Sequence, residues 1–389
     1  MITVEEARAI LRAAAVRTHT EPVRLERTLG RVLARDAVSR IFMPPFDKSA
    51  MDGYALSADD PAGRFRVGEM IPAGAVPARP LRKGECAKIM TGGMLPRGAD
   101  AVVRKEWTAE EDGWMRIVKP DDASNVCRKG EDVRPGDVVL KRGARIRPQE
   151  IGILASLGLD TITAYVPPSV AVIATGSEIV EPGRPLGKGC IYDSNSYSLA
   201  AQVAETGAAV KIRRRAADRP ALIRKAIADA LDRCDLVLVS GGVSAGDLDF
   251  VPGILRELGV TLHFEQIAVQ PGKPTVFGTR RGKIIFGVPG NPVSTFVIFE
   301  VFIKPVLLRM MGLEEEPRFV RAAMEKDLVR RRTERAAFVP VRVRGDAMIQ
   351  LDYHGSAHIH ALGRADGLLY IPRGRAGYAA GSRVDVRLI

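Results

Sequence analysis

The chain has 389 residues, 46% hydrophobic and 27% charged, and a formal net charge of +12. At roughly 150 residues per domain this predicts two or three domains with sizeable cores, which excludes a mainly disordered chain. No stretch approaches about 18 apolar residues, so no membrane span is expected, and the N-terminus lacks a basic-then-apolar leader pattern. Four cysteines, at 86, 127, 190 and 234, stand far apart with no C-x-x-C, which argues against a zinc or disulfide framework and fits a reducing cytoplasm.

Thr3 and Glu6 form a Thr-x-x-Glu capping box before Val4, Ala7, Leu11 and Ala14, so a helix opens the chain. Residues 21–39 read as another short element. From Pro44-Pro45 to about Asp137, short apolar pieces cut by Gly and Pro predict an all-β module. Pro148 opens a helix that Gly158 closes, and Pro167-Pro168 reads as a hinge.

Over residues 169–312 the texture alternates. Wholly apolar runs at 170–174, 236–239 and 284–286 read as buried strands. Helices are expected at 194–205, 220–231 (with Asp218 as cap), 251–258 and, as one long element, 292–311. Continuous apolar strands separated by helices imply a parallel sheet covered on both faces, whose ligands bind at the carboxyl ends of the strands. After about Glu314 the alternation at 338–343 and 384–388 predicts a small β-barrel or sandwich.

Gly-, Ser- and Thr-rich loops follow these strands: Thr175-Gly176-Ser177-Glu178, Ser240-Gly241-Gly242-Val243-Ser244 through Asp249, and Pro289-Gly290-Asn291-Pro292. Gln270-Pro271-Gly272-Lys273-Pro274 precedes a strand-like stretch, and Met90-Thr91-Gly92-Gly93 follows one in the β module. Such loops offer backbone N–H groups to an anion. Glu178 and Asp249 at the same sheet end are the hard oxygen ligands that a Mg²⁺ beside phosphate takes, and Lys273 supplies charge for an oxyanion. Taken singly, each loop can also be read as turn glycines and helix-capping carboxylates. His354, His358 and His360 are close enough in sequence to ligate a metal, or they occupy a surface turn. The strings Arg213-Arg214-Arg215 and Arg330-Arg331-Arg332 read as solvated faces or strand edges. Aromatic residues make up only 5%, which supplies few stacking platforms for nucleic acid. No Walker A, G-x-G-x-x-G, G-x-S-x-G or H-E-x-x-H pattern occurs.

The string from Pro44 to Ala55 (PPFDKSAMDGYA) resembles the signature of the MoeA family of molybdopterin molybdenumtransferases. The resemblance continues in order through KIMTG at 88–92, RKGED at 128–132, ATGSE at 174–178, IYDSN at 191–195, VSGGVS at 239–244 and PGNPVS at 289–294. It implies a multidomain α/β plus β fold with four parts: an elongated helical segment (1–40 and 137–167), a β-rich lid (41–136), an α/β molybdopterin-binding domain (168–313) and a C-terminal β-barrel (314–389). It implies a homodimer whose cleft lies between the α/β part of one subunit and the lid of the other. The implied reaction inserts molybdate into adenylylated molybdopterin with release of AMP, using Mg²⁺. Implied partners are an adenylyltransferase and an apo-molybdoenzyme or chaperone, with neither nucleic acid nor membrane.

The family's functional acids match Asp52, Asp132, Glu178, Asp218 and Asp249, with Glu178 and Asp249 as metal ligands. Thr91 matches a lid threonine and Lys273 a cleft lysine. Pro289 and Pro292 match the family's prolines, and Arg335 resembles an anion-binding arginine. The resemblance thus places Thr175, Gly176, Ser177, Ser240, Gly241, Gly242, Ser244, Gln270, Asn291 and Arg335 among the substrate-binding positions. Asp52-Gly53 also reads as a tight turn, and Arg335 as a solvated strand residue. Two positions depart from the family pattern: Gln270 where lysine is common, and Ala361 where serine is common. Both concern the oxyanion, so a tungstate-preferring paralogue is an alternative. So is a non-catalytic dimeric scaffold.

Overall fold

The structure, a computed structural model, describes residues 1–14, 18–120, 124–244, 249–314, 317–351 and 355–389. The chain divides into two compact units, Met1–Ala34 with Gly143–Arg147 and Ile162–Ile389, and Arg35–Arg142 with Pro148–Thr161.

The larger unit is built on a six-stranded sheet in the order Ala209–Ala216, Ser169–Thr175, Leu236–Ser240, Lys283–Val288, Val276–Arg280, Thr261–Phe264. The first four strands are parallel. The last two join through antiparallel pairings, Val276–Arg280 running against its neighbours on both sides, so the sheet is mixed rather than wholly parallel as expected. All five residues of Leu236–Ser240 are buried because helices cover both faces. On one face Ala171, Ile173, Val237 and Val239 pack with Ile223, Ile227 and Leu255 of the Pro220–Arg233 and Val251–Glu257 helices. On the other, Val170, Val172, Leu236 and Leu238 pack with Leu199 and Val203 of Asn195–Thr206 and with Val4, Ala7 and Leu11. Those last three lie on the Val4–Ala13 helix, whose capping box forms as expected: Glu6 N donates to Thr3 Oγ1 at 3.1 Å and Thr3 N donates to Glu6 Oε2 at 2.7 Å.

Three local expectations are corrected. Asp218 does not cap the Pro220–Arg233 helix: Arg219 occupies the N-cap without a side-chain hydrogen bond, and the Asp218 carboxylate accepts from Ser177 N at 2.9 Å instead. The long 292–311 helix is three pieces, Pro292–Ile298, a π-helical Phe299–Ile303 and Lys304–Met310. Pro305 has no N–H for an i−4 carbonyl, and Lys304 N–H already bonds five residues back to Phe299 O, so the ladder widens there. In the segment expected to be helical at 1–40 and 137–167, the helices among the described residues are Val4–Ala13, Pro148–Ser156 and the short 3₁₀ turn Leu25–Arg27. Thr20–Arg24, Ala37–Val38 and Val138–Leu140 are strands.

The C-terminal barrel closes on five strands: Ala336–Arg344, Ala347–Gln350, Phe319–Met324, Arg383–Leu388 and Gly367–Ile371, which pairs back to Ala336–Arg344. Alternation decides its two faces. Ala337, Val341, Met348, Leu369 and Val386 fill the interior, while Ala336, Phe338 and Leu368 face out and join the α/β core. Val269–Gln270 adds a short parallel strand against Ala336–Ala337.

The smaller unit holds a second six-stranded sheet, in the order Ala101–Arg104, Gly53–Leu56, Glu85–Ile89, Phe65–Ile71, Trp114–Ile117, Thr108–Glu111. Its two faces bury Tyr54, Phe65, Cys86 and Met115 on one side and Ala55, Ile71, Ile89 and Val102 on the other. Burial pushes the Cys86 thiol up to about 12, and Cys234 is buried as well, whereas Cys127 and Cys190 are partly accessible. The native protein is therefore expected to react with a colourimetric thiol reagent at Cys127 and Cys190 only, the other two appearing on denaturation. Four fast thiols in the native state would contradict this burial. Among the described residues no helix is long and apolar enough to cross a membrane.

Candidate functional site

The three central parallel strands of the larger unit end side by side. Register pairs Ala174 with Ser240 and Ser240 with Val288, so the loops after Thr175, Ser240 and Val288 leave the sheet along one line. They bound a cleft of about 720 Å³, the place where ligands of such sheets bind.

The loops approach closely because they are glycine at the crossing points. Gly241 (φ +95°) and Gly242 (φ +66°) both occupy the left-handed region, and Gly241 N–H donates to Val288 O at 3.0 Å. A Cβ on Gly241 would stand 2.7 Å from both Thr175 O and Thr175 Oγ1. The Asn195–Thr206 helix is tied to the same loops. Asn195 Nδ2 donates to Ser240 Oγ at 2.9 Å and to Gly290 O at 2.7 Å, and Thr295 Oγ1 donates to Pro289 O at 2.6 Å. Asn291 Nδ2 in turn donates to Ser356 Oγ at 2.8 Å.

Four carboxylates line the cleft: Glu178, Asp193, Asp218 and Asp249. Two of them have local structural roles. Asp193 accepts from Ser196 N at 2.9 Å and from Ser196 Oγ at 2.5 Å, ordering the first turn of the helix. Asp218 and Ser177 exchange backbone-to-side-chain hydrogen bonds of 2.9 and 3.0 Å, which fixes the Gly176-Ser177 bend. Glu178 and Asp249 bring carboxylates to the cleft from two different loops. Among the described residues no three His, Cys, Asp or Glu side chains group closely enough to hold a metal by themselves. Two carboxylates completed by substrate phosphate oxygens and water is the donor set Mg²⁺ accepts.

Beside the cleft, Arg213 stacks on Tyr197 at 3.9 Å and donates to Glu181 at 2.9 Å and to Ser196 Oγ at 3.1 Å. The Tyr197 hydroxyl, and then Arg213, hold the Glu181 carboxyl below its ordinary range. The arginine string 213–215 thus lies on the edge strand of the sheet, as expected, and two of its charges are paired, Arg213 with Glu181 and Arg214 with Asp229 at 2.7 Å, while Arg215 donates to Ile179 O.

Of the sequence-selected residues, Thr175, Gly176, Glu178, Asp218, Ser240, Gly241, Gly242, Ser244, Asp249, Pro289, Asn291 and Pro292 line this cleft, and Ser177 sits in the same bend. Residues 245–248 of the second loop, and His354, lie outside the described residues. His358 and His360 are exposed at a 3₁₀ turn. Lys273 is exposed and does not line the cleft, although its neighbour Pro274 does. Gln270 stands opposite Ala337 at one end of the short parallel strand pair leading into the barrel, and Arg335 precedes Ala336 at the other. Asp193, Asn195 and Tyr192 line the cleft without having been singled out for a role. Their signals in the chain are the IYDSN string of the family resemblance and the polar Asp193-Ser194-Asn195 run at the start of a helix.

The smaller unit carries its own bonded acid. Thr91 N and Thr91 Oγ1 each donate to Asp52 Oδ1 at 2.8 Å, and Lys105 Nζ lies 3.8 Å from Oδ2. The Thr91 backbone N–H, its hydroxyl and Lys105 hold the Asp52 carboxyl below its usual value. Asp52 is therefore expected to titrate by ¹³C NMR below its ordinary 3.8, and Thr91→Val to raise that midpoint by removing one of its two donors. A midpoint unchanged in the variant would show that the hydroxyl does not act on this carboxylate. Asp132 is exposed, and its N–H donates to Met43 O at 3.1 Å.

Comparison with known proteins agrees with this architecture. Residues 2–158 match the model of the MoeA N-terminal region (domain I and II), 171–309 that of a probable molybdopterin binding domain, and 321–389 that of the MoeA C-terminal region (domain IV). A molybdopterin molybdenumtransferase of Staphylococcus aureus (strain N315) is 35% identical over 379 residues, covering 94% of this chain and 90% of the relative. One of Staphylococcus epidermidis (strain ATCC 12228 / FDA PCI 1200) is 32% identical over 400 residues, covering 100% and 95%. The crystal structure of the molybdopterin biosynthesis MoeA protein from Pyrococcus horikoshii OT3 superposes with a TM-score of 0.87 at 31% identity, over 100% of both chains. With family models matched along nearly its whole length, and the sheet, barrel and glycine-lined cleft in place, the chain belongs to the MoeA family.

Proposed function

We propose that this chain is a transferase of molybdenum cofactor biosynthesis that inserts molybdate into adenylylated molybdopterin and releases AMP. The observation that carries the reading is the cleft at the strand ends, where glycine-built loops and two loop carboxylates converge. Gly176 and Gly241 N–H already donate to Ala216 O and Val288 O, so the phosphate oxygens take the Gly242 N–H at the turn these two hold open, and the walls at Pro289 and Pro292 shape the seat of the substrate. Glu178 and Asp249 hold Mg²⁺, which when bound neutralises charge on the phosphate being cleaved. Asn195 keeps the second and third loops in register so that these groups are positioned before substrate arrives. Lys273 and Arg335 attract the molybdate dianion, with Gln270 donating a neutral hydrogen bond where a further charge would otherwise stand.

The protein acts as a homodimer, with Asp52, Thr91 and Asp132 of the lid closing on the partner's cleft. The separate Asp52–Thr91 arrangement supports this, being a preformed hydrogen-bonded acid outside the sheet cleft. An adenylyltransferase supplies the substrate, and an apo-molybdoenzyme or a chaperone takes the product. The proposed domains run 1–40 with 137–167, 41–136, 168–313 and 314–389.

The test is a single-turnover incubation with adenylylated molybdopterin, Mg²⁺ and either molybdate or tungstate, following AMP. Molybdate-dependent AMP release is expected. Release with tungstate alone would move the oxyanion preference to the Gln270 and Ala361 departures. Tight substrate binding without release under either oxyanion would leave the scaffold.

A further inference from the structure

The larger unit has a second cavity, of about 340 Å³, away from the strand-end cleft. Its floor is unusual. Arg387 lies on the last barrel strand, where Val384 and Val386 point inward and Arg387 outward. An outward arginine on a barrel strand is ordinarily solvated, yet Arg387 is only 7% exposed because the π-helical Phe299–Ile303 segment covers it. Its single hydrogen bond among the described residues runs from Nη2 to Glu300 O. No carboxylate among those residues lies within ion-pair distance of it. The Glu300 carboxylate is already committed, accepting from Gln202 Nε2 at 3.0 Å and from Lys304 Nζ at 3.0 Å. Gln202 Oε1 is buried with no donor at all. The rim adds the exposed Arg318, and Pro305, Leu308 and Leu388 give an apolar wall.

The remaining Arg387 N–H donors are not walled off and have no protein acceptor among the described residues, so an anion entering the cavity can complete them beside the more distant charge of Glu300. A half-apolar cavity at the lower end of the size range of small-molecule sites is the volume such an anion needs. The π-helical widening that builds the floor is a feature that recurs at binding sites. We propose that this cavity binds a small organic anion, a phosphate monoester or carboxylate with an apolar body, whose charged head meets Arg387 and Arg318 and whose body lies on Pro305 and Leu308. The site is separate from the cleft, and one element reaches both: the Asn195–Thr206 helix places Asn195 in the cleft and Thr206 at the cavity.

The test is calorimetric titration of the full-length protein with phenyl phosphate and with benzoate, run on the wild type, Arg318→Glu and Arg387→Gln. Arg318 is exposed, so its variant reports on the site without a folding question. Binding by the wild type is expected, weakened about tenfold or more in each variant, as for loss of a charge-assisted hydrogen bond. Absence of binding of both probes at millimolar concentration would overturn the proposal. So would equal affinity in wild type and Arg318→Glu, which would place any binding elsewhere, such as in the strand-end cleft.

Discussion

Glu178→Gln and Asp249→Asn are each expected to cut molybdate-dependent AMP release at least about a hundredfold. Loss of groups that only orient a metal's ligands costs about 10–100-fold, and loss of a ligand costs no less. Both substitutions keep the side-chain shape and remove one negative charge. Glu178 is exposed on its loop, so Glu178→Gln should leave stability within about 0.5 kcal/mol of the wild type. The two carboxylates come from different loops, after Thr175 and after Ser240, and share one cleft. If they share one Mg²⁺, raising its concentration should restore part of the lost rate in each single variant and little in the double variant. Rates within threefold of the wild type would remove both residues from the chemistry. The acids that the structure ties to local roles behave differently: Asp218 fixes the Ser177 bend, so Asp218→Asn should act mainly on substrate affinity.

Gly241→Ala is expected to destabilise the larger unit by about 2–4 kcal/mol, read as a lower urea midpoint. An alanine there must adopt φ +95°, a conformation that costs an L-residue roughly 1–3 kcal/mol. Its Cβ would also sit 2.7 Å from the Thr175 carbonyl oxygen, and overpacking of that kind adds about 1–3 kcal/mol. Gly290→Ala on the neighbouring loop is the control. It has no positive φ, and its nearest neighbour would be Gly241 Cα at 3.9 Å, so it should be nearly neutral for stability. Equal stability of the two variants would mean that the Ser240–Gly242 crossing is not held as described.

Much of this architecture is legible in the chain because it rests on period and punctuation. The Leu236–Val239 run is apolar on both faces, and only a covered strand tolerates that. The glycine loops are legible for the same reason, since a Cβ at Gly241 would stand 2.7 Å from the Thr175 carbonyl oxygen, which leaves no room for a side chain. What sequence alone misses depends on partners distant in the chain. Asp218 stands before a proline-led helix and has the form of a cap, but a donor 41 residues away, Ser177 N, takes its carboxylate. The 292–311 helix reads as continuous because its apolar pattern is continuous. The π-helical turn comes from a missing N–H at Pro305 and a buried Glu300–Lys304 pair, neither of which disturbs hydropathy. Asn195 is marked by the IYDSN string, but its bridging of Ser240 and Gly290 is not legible there, because those partners lie on two other loops. Lys273 is exposed while its neighbour Pro274 stands on the cleft wall, a difference of one residue that the glycine-proline string does not encode.

The most direct measurement is a crystal structure of the protein with adenylylated molybdopterin and Mg²⁺ in the absence of molybdate. The phosphate is expected against the Gly176 and Gly241-Gly242 backbone, with the metal between Glu178 and Asp249. Substrate bound elsewhere, or a phosphate with neither glycine bend within hydrogen-bond reach, would contradict the assignment of this cleft.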